Sequence, residues 1–322
     1  MSTLNATQLH DLDLGFERAS AVVLQYYLKY QGLSVGAVVK EKLVERIRGY
    51  IHDRALEGSD VLIMLRELQE NRNKRVYLYS ISRRELPGLA TEFERAVSNL
   101  ASARIRRGTE AGEIAYSYVD ASTVRICFVE QQQDVVVDVP ARHVTTIPVT
   151  NVILLQVDRS NGWVTLSYDP PSRIMRHGSQ EAYYRSYLQR SEHLLGVTFR
   201  ALGLARAMES LQSSPLVKPR HLVVDTNDGS VQITGDGVDC REMGVAPGVE
   251  RFVTGRERGL YDWLPADKAR VQFGRFGVYS GEIPLLRSVP TDLQCDPGMV
   301  RFSRDCLSNE VGYVLSQIRA VA

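Results

Sequence analysis

The chain has 322 residues, of which 44% are hydrophobic and 24% are charged, and its formal net charge is +1. These values are typical of an ordinary soluble protein with enough residues for two domains. The near-neutral charge means that no global electrostatic field draws the chain to nucleic acid or to a membrane.

The cysteines and the apolar runs indicate a cellular compartment. Four cysteines without a C-x-x-C pair are typical of thiols in a reducing environment rather than of a disulfide framework. The first ten residues lack a basic region followed by an apolar one, and no apolar run reaches the roughly 20 residues of a membrane span. We therefore expect a cytoplasmic protein without membrane association.

Residues 1–110 are predicted to form a helical domain. Residues 1–15 are polar and are expected to be loose. Apolar residues spaced by three and four predict helices at 16–30 and 35–55 and a third helix after Gly58. One basic helix of this domain could read DNA as in a helix-turn-helix protein. Acidic residues on the same helices favour the alternative, a helical bundle with solvated faces.

Residues 114–169 are predicted to be a set of consecutive strands within a second domain, 111–220. Val124, Ile126 and Phe128 alternate with other residues at a period of two, which is typical of strands with one buried face. Asn161-Gly162 favours a two-residue type I′ turn, and therefore an antiparallel hairpin. A second hairpin is predicted around residues 227–229, within a mixed C-terminal lobe at 221–322.

The most basic segment follows the predicted sheet. Residues 172–220 contain eight basic and three acidic side chains, a difference of +5, with interleaved tyrosines. Two helices are predicted there, at 179–195 and 199–211. Arginine neutralises phosphates and tyrosine can stack on bases, so we interpret this segment as a nucleic-acid contact surface. The predicted contact residues are Arg173, Arg176, Tyr183, Arg185, Tyr187, Arg190, Lys218 and Arg220.

This segment also has a purely structural interpretation. Its tyrosines can pack on the sheet while its arginines are solvated. The chain has 33 arginines and six lysines, and arginine is suited to phosphate contacts and interfaces. Genome composition explains the same bias and is the preferred interpretation.

Motifs for catalysis and cofactor binding are lacking. There is no G-x-x-x-x-G-K loop, no G-x-G-x-x-G after a strand, no G-x-S-x-G elbow and no H-E-x-x-H. The cysteine spacing fits no zinc finger, so we expect no metal and no cofactor. Asp225, Asp228 and Asp236 cluster in the sequence and leave open a metal-dependent hydrolase, although turn-forming aspartates beside glycine explain the last two.

The sequence thus predicts an α+β protein with an N-terminal helical domain and a largely antiparallel sheet flanked by helices. Strands run into helices in both halves, which favours a two-lobed body. The predicted function is binding rather than catalysis: a nucleic-acid-binding protein, or a subunit of a nucleic-acid-handling complex with protein partners. The first alternative is a protein-interaction scaffold without a nucleic-acid role, and the second is the hydrolase.

Overall fold

The computed structural model describes residues 4–36, 38–71, 74–89, 113–119, 122–138, 143–168, 180–212, 214, 216–226, 229–234, 268–273, 284–295 and 297–322. Four helices precede the first strand, and the strands pair in antiparallel fashion, which confirms the predicted α+β class. None of the helices within these ranges is long and apolar enough to cross a membrane.

The chain divides into two compact units. The first, here called the terminal unit, consists of Met1–Asn73, Leu204–Asp296 and Arg301–Ala322. The second, here called the inserted unit, consists of Lys74–Gly203 and Pro297–Val300. The predicted three-part division at residues 110 and 220 stays a prediction.

Seven long helices are present in the described ranges. They are α1 (Ala6–Arg18), α2 (Ala21–Tyr30), α3 (Lys40–His52), α4 (Gly58–Asn71), α5 (Gln180–Leu195), α6 (Ala205–Gln212) and α7 (Ser308–Val321). Of these, only α5 belongs to the inserted unit.

The strands form an antiparallel set in each unit. The inserted unit contains β1 (Arg75–Ser80), β2 (Glu113–Val119), β3 (Thr123–Asp138), β4 (His143–Asp158), β5 (Trp163–Tyr168) and β6 (Arg200–Ala201). Their order is β2-β3-β4-β5-β1, and β6 pairs with β1. The terminal unit contains β7 (Val217–Thr226), β8 (Gly229–Thr234), β9 (Lys268–Phe273) and β10 (Val289–Gln294), in the order β10-β9-β7-β8. A short strand β11 covers Met299–Phe302.

Both predicted hairpins are present. Strands β4 and β5 pair from Asp158 opposite Trp163, and β7 and β8 pair from Thr226 opposite Gly229. The two-residue type I′ turn predicted at Asn161-Gly162 is wrong, because the pairing leaves a loop of four residues, 159–162. Only Gly162 in this loop has a positive φ, of +76°. Instead, the Asp158 carboxylate accepts hydrogen bonds from Ser160 and Asn161 and thereby fixes the loop.

The prediction for the first 30 residues is also wrong. Residues 1–15 were expected to be loose, but helix α1 begins at Ala6 and is stabilised by a capping box between Asn5 and Gln8. The predicted helix at 16–30 is interrupted, because Ala19 and Ser20 have extended backbone conformations. Helices α1 and α2 are therefore separate.

The core of the terminal unit is formed by α1 to α4 together with one residue from the end of the chain. Val23, Leu24, Leu28, Leu43 and Ile47 have less than 2% of their surface exposed. Leu307, just before α7, packs in the same cluster. The N-terminal helices and the last segment of the chain thus form one hydrophobic core.

A buried ion pair lies beside this core. The Arg287 guanidinium donates two hydrogen bonds of 2.6 Å to the Glu310 carboxylate, and its Nη2 also donates to the Asp305 carbonyl. It lies 4.8 Å from the centre of the Tyr26 ring. Burial alone would lower the pKa of Arg287, but the hydrogen bonds and charge of Glu310 raise it. Arg287 therefore keeps its charge although it is buried.

Candidate nucleic-acid interface

Helix α5 has two chemically distinct faces. Tyr184, Tyr187 and Leu195 are buried against the sheet of the inserted unit. This face packs in the hydrophobic cluster that contains Phe128 of β3 and Ile153 of β4. Among residues 183–195 of the helix, the opposite face is exposed and consists of Arg185, Ser186, Gln189, Arg190 and His193. The helix therefore presents polar and basic side chains from a fixed platform.

A buried carboxylate holds α5 on the sheet. Glu130 of β3 is only 5% exposed. The Tyr183 hydroxyl donates a 2.5 Å hydrogen bond to its Oε1, and the Tyr187 hydroxyl donates to its Oε2. Because the two tyrosines are four residues apart, they lie on neighbouring turns of one helical face and reach the same carboxylate.

The environment of Glu130 affects the two phenols. Burial raises the pKa of Tyr183 and of Tyr187 well above the ordinary value of 10.0, and the hydrogen bonds to Glu130 raise it further. Both phenols therefore stay protonated and continue to donate at all physiological pH values. In this cluster, two neutral hydroxyl groups donate hydrogen bonds to one carboxylate.

Stacked tyrosine rings extend this contact between α5 and the sheet. Tyr184 of α5 stacks on Tyr77 of β1 with ring centres 4.3 Å apart, and Tyr77 stacks on Tyr168 of β5 at 5.6 Å. The Tyr168 hydroxyl donates to the Tyr77 hydroxyl at 3.3 Å. Such ring pairs contribute roughly 0.5–1.5 kcal/mol each beyond their buried area, so α5 is firmly positioned.

Two acidic side chains near α5, those of Glu130 and Glu192, are turned away from its exposed face. Glu130 lies beneath the helix, and Glu192 is half-buried, where its Oε1 accepts a 2.6 Å hydrogen bond from the Phe199 amide. The Arg190 guanidinium lies 5.2 Å from the centre of the Phe128 ring while the side chain remains exposed. Among residues 183–195, the exposed charged groups are thus basic.

The structure brings together half of the predicted contact residues. Tyr183, Arg185, Tyr187 and Arg190 lie on α5, with the arginines exposed and the tyrosines turned toward Glu130. Lys218 and Arg220 lie on β7 of the terminal unit, and Arg173 and Arg176 fall outside the described residues.

The described residues do not bring potential metal ligands together. Within the described ranges, no three His, Cys, Asp or Glu residues are close enough to hold a metal ion. Asp225 lies on β7, whereas Asp228 and Asp236 are outside the described residues. Cys127, Cys295 and Cys306 are buried thiols.

Sequence reasoning missed Glu130, although a signal for it was present. Val124, Ile126 and Phe128 have 0% exposure, and Glu130 is the next residue of the same parity on β3. An acid that continues the apolar face of a strand requires a buried hydrogen-bond donor. The tyrosines spaced by four on the following helix are such donors.

Comparisons with known proteins add no family to this description. No protein-family model matches the chain, and no curated protein matches it significantly.

Proposed function

We propose that the protein binds nucleic acid through the exposed face of α5, with Arg185 and Arg190 as phosphate contacts. The observation that supports this proposal is the segregation of charge at α5. Its exposed charged residues between 183 and 195 are basic, while Glu130 and Glu192 are turned inward and hydrogen-bonded. A phosphate backbone approaching residues 183–195 on this face meets the two exposed arginines, while the carboxylates of Glu130 and Glu192 are held away from it.

The tyrosines have a different role in this proposal from the one the sequence suggested. Tyr183 and Tyr187 donate to Glu130, and Tyr187 is only 5% exposed. We assign them to holding α5 in place, so that the arginines are presented without a large loss of backbone entropy on binding. Arg173, Arg176, Lys218 and Arg220 remain proposed additional phosphate contacts.

The proposal also covers the protein partners and the cellular compartment. Phosphate contacts carry no sequence information, so a partner protein would supply any sequence specificity. We therefore propose a subunit of a nucleic-acid-handling complex. The buried thiols are compatible with the reducing environment of the cytoplasm, where we place the protein.

Salt-dependent binding tests the proposal. Labelled duplex DNA, single-stranded DNA and RNA are titrated with the protein over a series of salt concentrations, and binding is followed by fluorescence anisotropy. For duplex DNA, log Kd should change with log salt by about 0.9 per neutralised phosphate. Arg185→Ala with Arg190→Ala should therefore reduce the slope by about 1.8, since two contacts are lost.

A matched control distinguishes the loss of phosphate contacts at α5 from a general effect of lowering the protein's positive charge. Arg83 and Arg84 are exposed in the same unit, and Arg83→Ala with Arg84→Ala removes the same charge from another surface. The control should leave the slope unchanged. An equal reduction in both variants would contradict a contact at α5, and failure of all three nucleic acids to bind at low salt would favour the protein-interaction scaffold.

A further inference from the structure

A groove between two helices of the terminal unit has the features of a peptide-binding site. It has a volume of about 560 Å³ and is lined by Asp13, Phe16, Glu17, Lys40, Glu41, Val44, Glu45 and Arg48. This volume is within the range of protein ligand sites, roughly 300–1,000 Å³. The groove is unrelated to the basic face of α5, so it does not depend on the function proposed above.

Two polar contacts between α1 and α3 mark the ends of the groove. The Lys40 ammonium donates a 2.7 Å hydrogen bond to the Glu17 carbonyl, and the Arg48 guanidinium is 2.6 Å from the Asp13 carboxylate. Lys40 and Arg48 are eight residues apart on α3, which corresponds to about 12 Å along the helix axis. That length accommodates about two turns of a docked helix.

The groove has an apolar floor. Phe16 of α1 and Val44 of α3 line it between the two polar contacts, and Val44 is half-buried. An apolar side chain inserted here would remove the remaining surface of Val44 from water, which contributes about 25 cal/mol per Å². The floor therefore favours an apolar anchor on the partner.

Exposed apolar side chains continue from one end of the groove. Val39 directly precedes Lys40 and is 54% exposed, and Val38 is 76% exposed. The Gln25 side chain on α2 contacts the Val38 carbonyl, and Val22, one turn earlier on α2, is 48% exposed. This strip lies beyond the cavity itself, which favours a polypeptide over a small molecule.

The rim of the groove is acidic. The lining contains four carboxylates and two basic groups, a net charge of −2. Glu17, Glu41 and Glu45 are exposed and have no ion-pair partner within the described part of the chain. Glu41 and Glu45 are one helical turn apart, so basic side chains spaced by four on a partner helix would face them.

We propose that this groove binds a basic amphipathic helix of a partner protein. The apolar face of that helix occupies the floor between Phe16 and Val44 and extends onto Val38 and Val39. Its lysine or arginine side chains pair with Glu41 and Glu45. This is the helix-in-groove mode of recognition, with charge complementarity at the rim.

Binding of a defined peptide tests the proposal. The probe is a labelled amphipathic peptide of leucine and lysine, roughly 18 residues long, with leucine at i, i+3, i+4 and i+7. The full-length protein should bind this peptide by fluorescence anisotropy, and methyl signals of Val38 and Val44 should shift in NMR spectra. A peptide with the same pattern in which glutamate replaces lysine should not bind, and a shuffled leucine–lysine peptide should bind more weakly.

Variants locate the site. Glu41→Lys with Glu45→Lys should weaken binding of the leucine–lysine peptide roughly tenfold, because the rim then repels it. Glu67→Lys with Glu209→Lys makes the same change in net charge elsewhere in the terminal unit and should change the affinity less than twofold. Val44→Lys should weaken binding without altering the circular dichroism spectrum.

Several outcomes would overturn the proposal. Equal weakening by both charge-reversal pairs would mean that the peptide binds the acidic surface in general. Absence of binding, or equal binding of the glutamate peptide, would exclude a basic partner. Dimerisation in light scattering that is abolished by Val44→Lys would assign the groove to a second copy of this chain instead.

Discussion

Glu310 of the terminal unit and Glu130 of the inserted unit are both buried, and they are stabilised in different ways. In the terminal unit, Glu310 has 0% exposure and pairs with the cation Arg287. In the inserted unit, Glu130 is 5% exposed and accepts hydrogen bonds from the neutral phenols of Tyr183 and Tyr187. Glu310 thus has a charged hydrogen-bond donor, whereas the two phenols that donate to Glu130 are neutral.

The difference predicts different responses to substitution. Removing Arg287 takes from the buried Glu310 its cation and two of its hydrogen bonds, whereas removing one phenol leaves Glu130 with another donor. A single substitution at Arg287 should therefore remove most of the stability that the ion pair contributes. A single substitution at Tyr183 or Tyr187 should remove only part of the stability that the Glu130 cluster contributes. The following experiments test this contrast, from the largest expected effect to the smallest.

Arg287→Ala should lower the free energy of unfolding by about 3–5 kcal/mol, the usual result of breaking a buried ion pair from one side. Urea denaturation followed by circular dichroism measures the loss. Arg66→Ala is the control, because Arg66 is 66% exposed and lies 3.8 Å from Asp11. An exposed pair contributes at most about 1 kcal/mol. Equal losses in the two variants would contradict the role given to burial.

Tyr183→Phe and Tyr187→Phe should each lower the free energy of unfolding by about 1.5–3 kcal/mol, since each removes a hydrogen bond to a charged group. Adding Glu130→Leu to the double variant should restore part of the loss, because the buried carboxylate that has lost two donors is then removed. Urea denaturation of the three variants measures both effects. A triple variant that is less stable than the double variant would show that Glu130 has essential partners other than these phenols.

Alkaline pH should weaken the inserted unit. The pKa values of Tyr183 and Tyr187 are raised above 10.0 by burial and by Glu130, so the folded state retains protons that the unfolded state releases. The corresponding stability is complete below pH 10 and is lost as the pH rises above that value. The urea midpoint should therefore fall between pH 9 and pH 11, estimated from an ordinary phenol pKa of about 10, and the fall should be smaller in the double Phe variant. An identical fall in both proteins would contradict this assignment.

Arg185→Ala with Arg190→Ala should change the free energy of unfolding by no more than about 0.5 kcal/mol per residue, since exposed side chains contribute little. Thermal unfolding by circular dichroism checks this. A large destabilisation would mean that the contact of Arg190 with the Phe128 ring, rather than nucleic acid, explains these arginines.

The sequence patterns that predicted structure correctly were those that depend on the conformation of a few neighbouring residues. A glycine in a turn and alternating valines predicted both hairpins, since positive φ and strand parity are local properties. The prediction of one helix at 16–30 failed because Phe16 of α1, Ala19 of the break and Val23 of α2 all pack in one core. The spacing of buried residues therefore continues across a break that only the extended backbone at Ala19 and Ser20 reveals.

The candidate site was predictable to a smaller degree. Helix α5 and the exposure of Arg185 and Arg190 followed from periodicity, but the inward orientation of Tyr183 depended on a partner 53 residues earlier in the chain. The groove between α1 and α3 could not be predicted, because the sequence interpretation had no helix before residue 16. The orientation of Tyr183 and the groove between α1 and α3 both depend on contacts between residues far apart in the sequence, which local helix or strand propensities do not reveal.

The discontinuity of the terminal unit has a consequence for folding during synthesis. Nearly all of the inserted unit, Lys74–Gly203, is complete long before the ribosome reaches Leu307, whose side chain belongs to the core of α1 to α4. Domains generally fold as units while the chain emerges, at about 5–20 residues per second. The first four helices must therefore wait roughly 12–47 seconds for their last core residue, calculated from the 236 residues between Asn71 and Leu307. We expect these helices to need protection from aggregation during that interval.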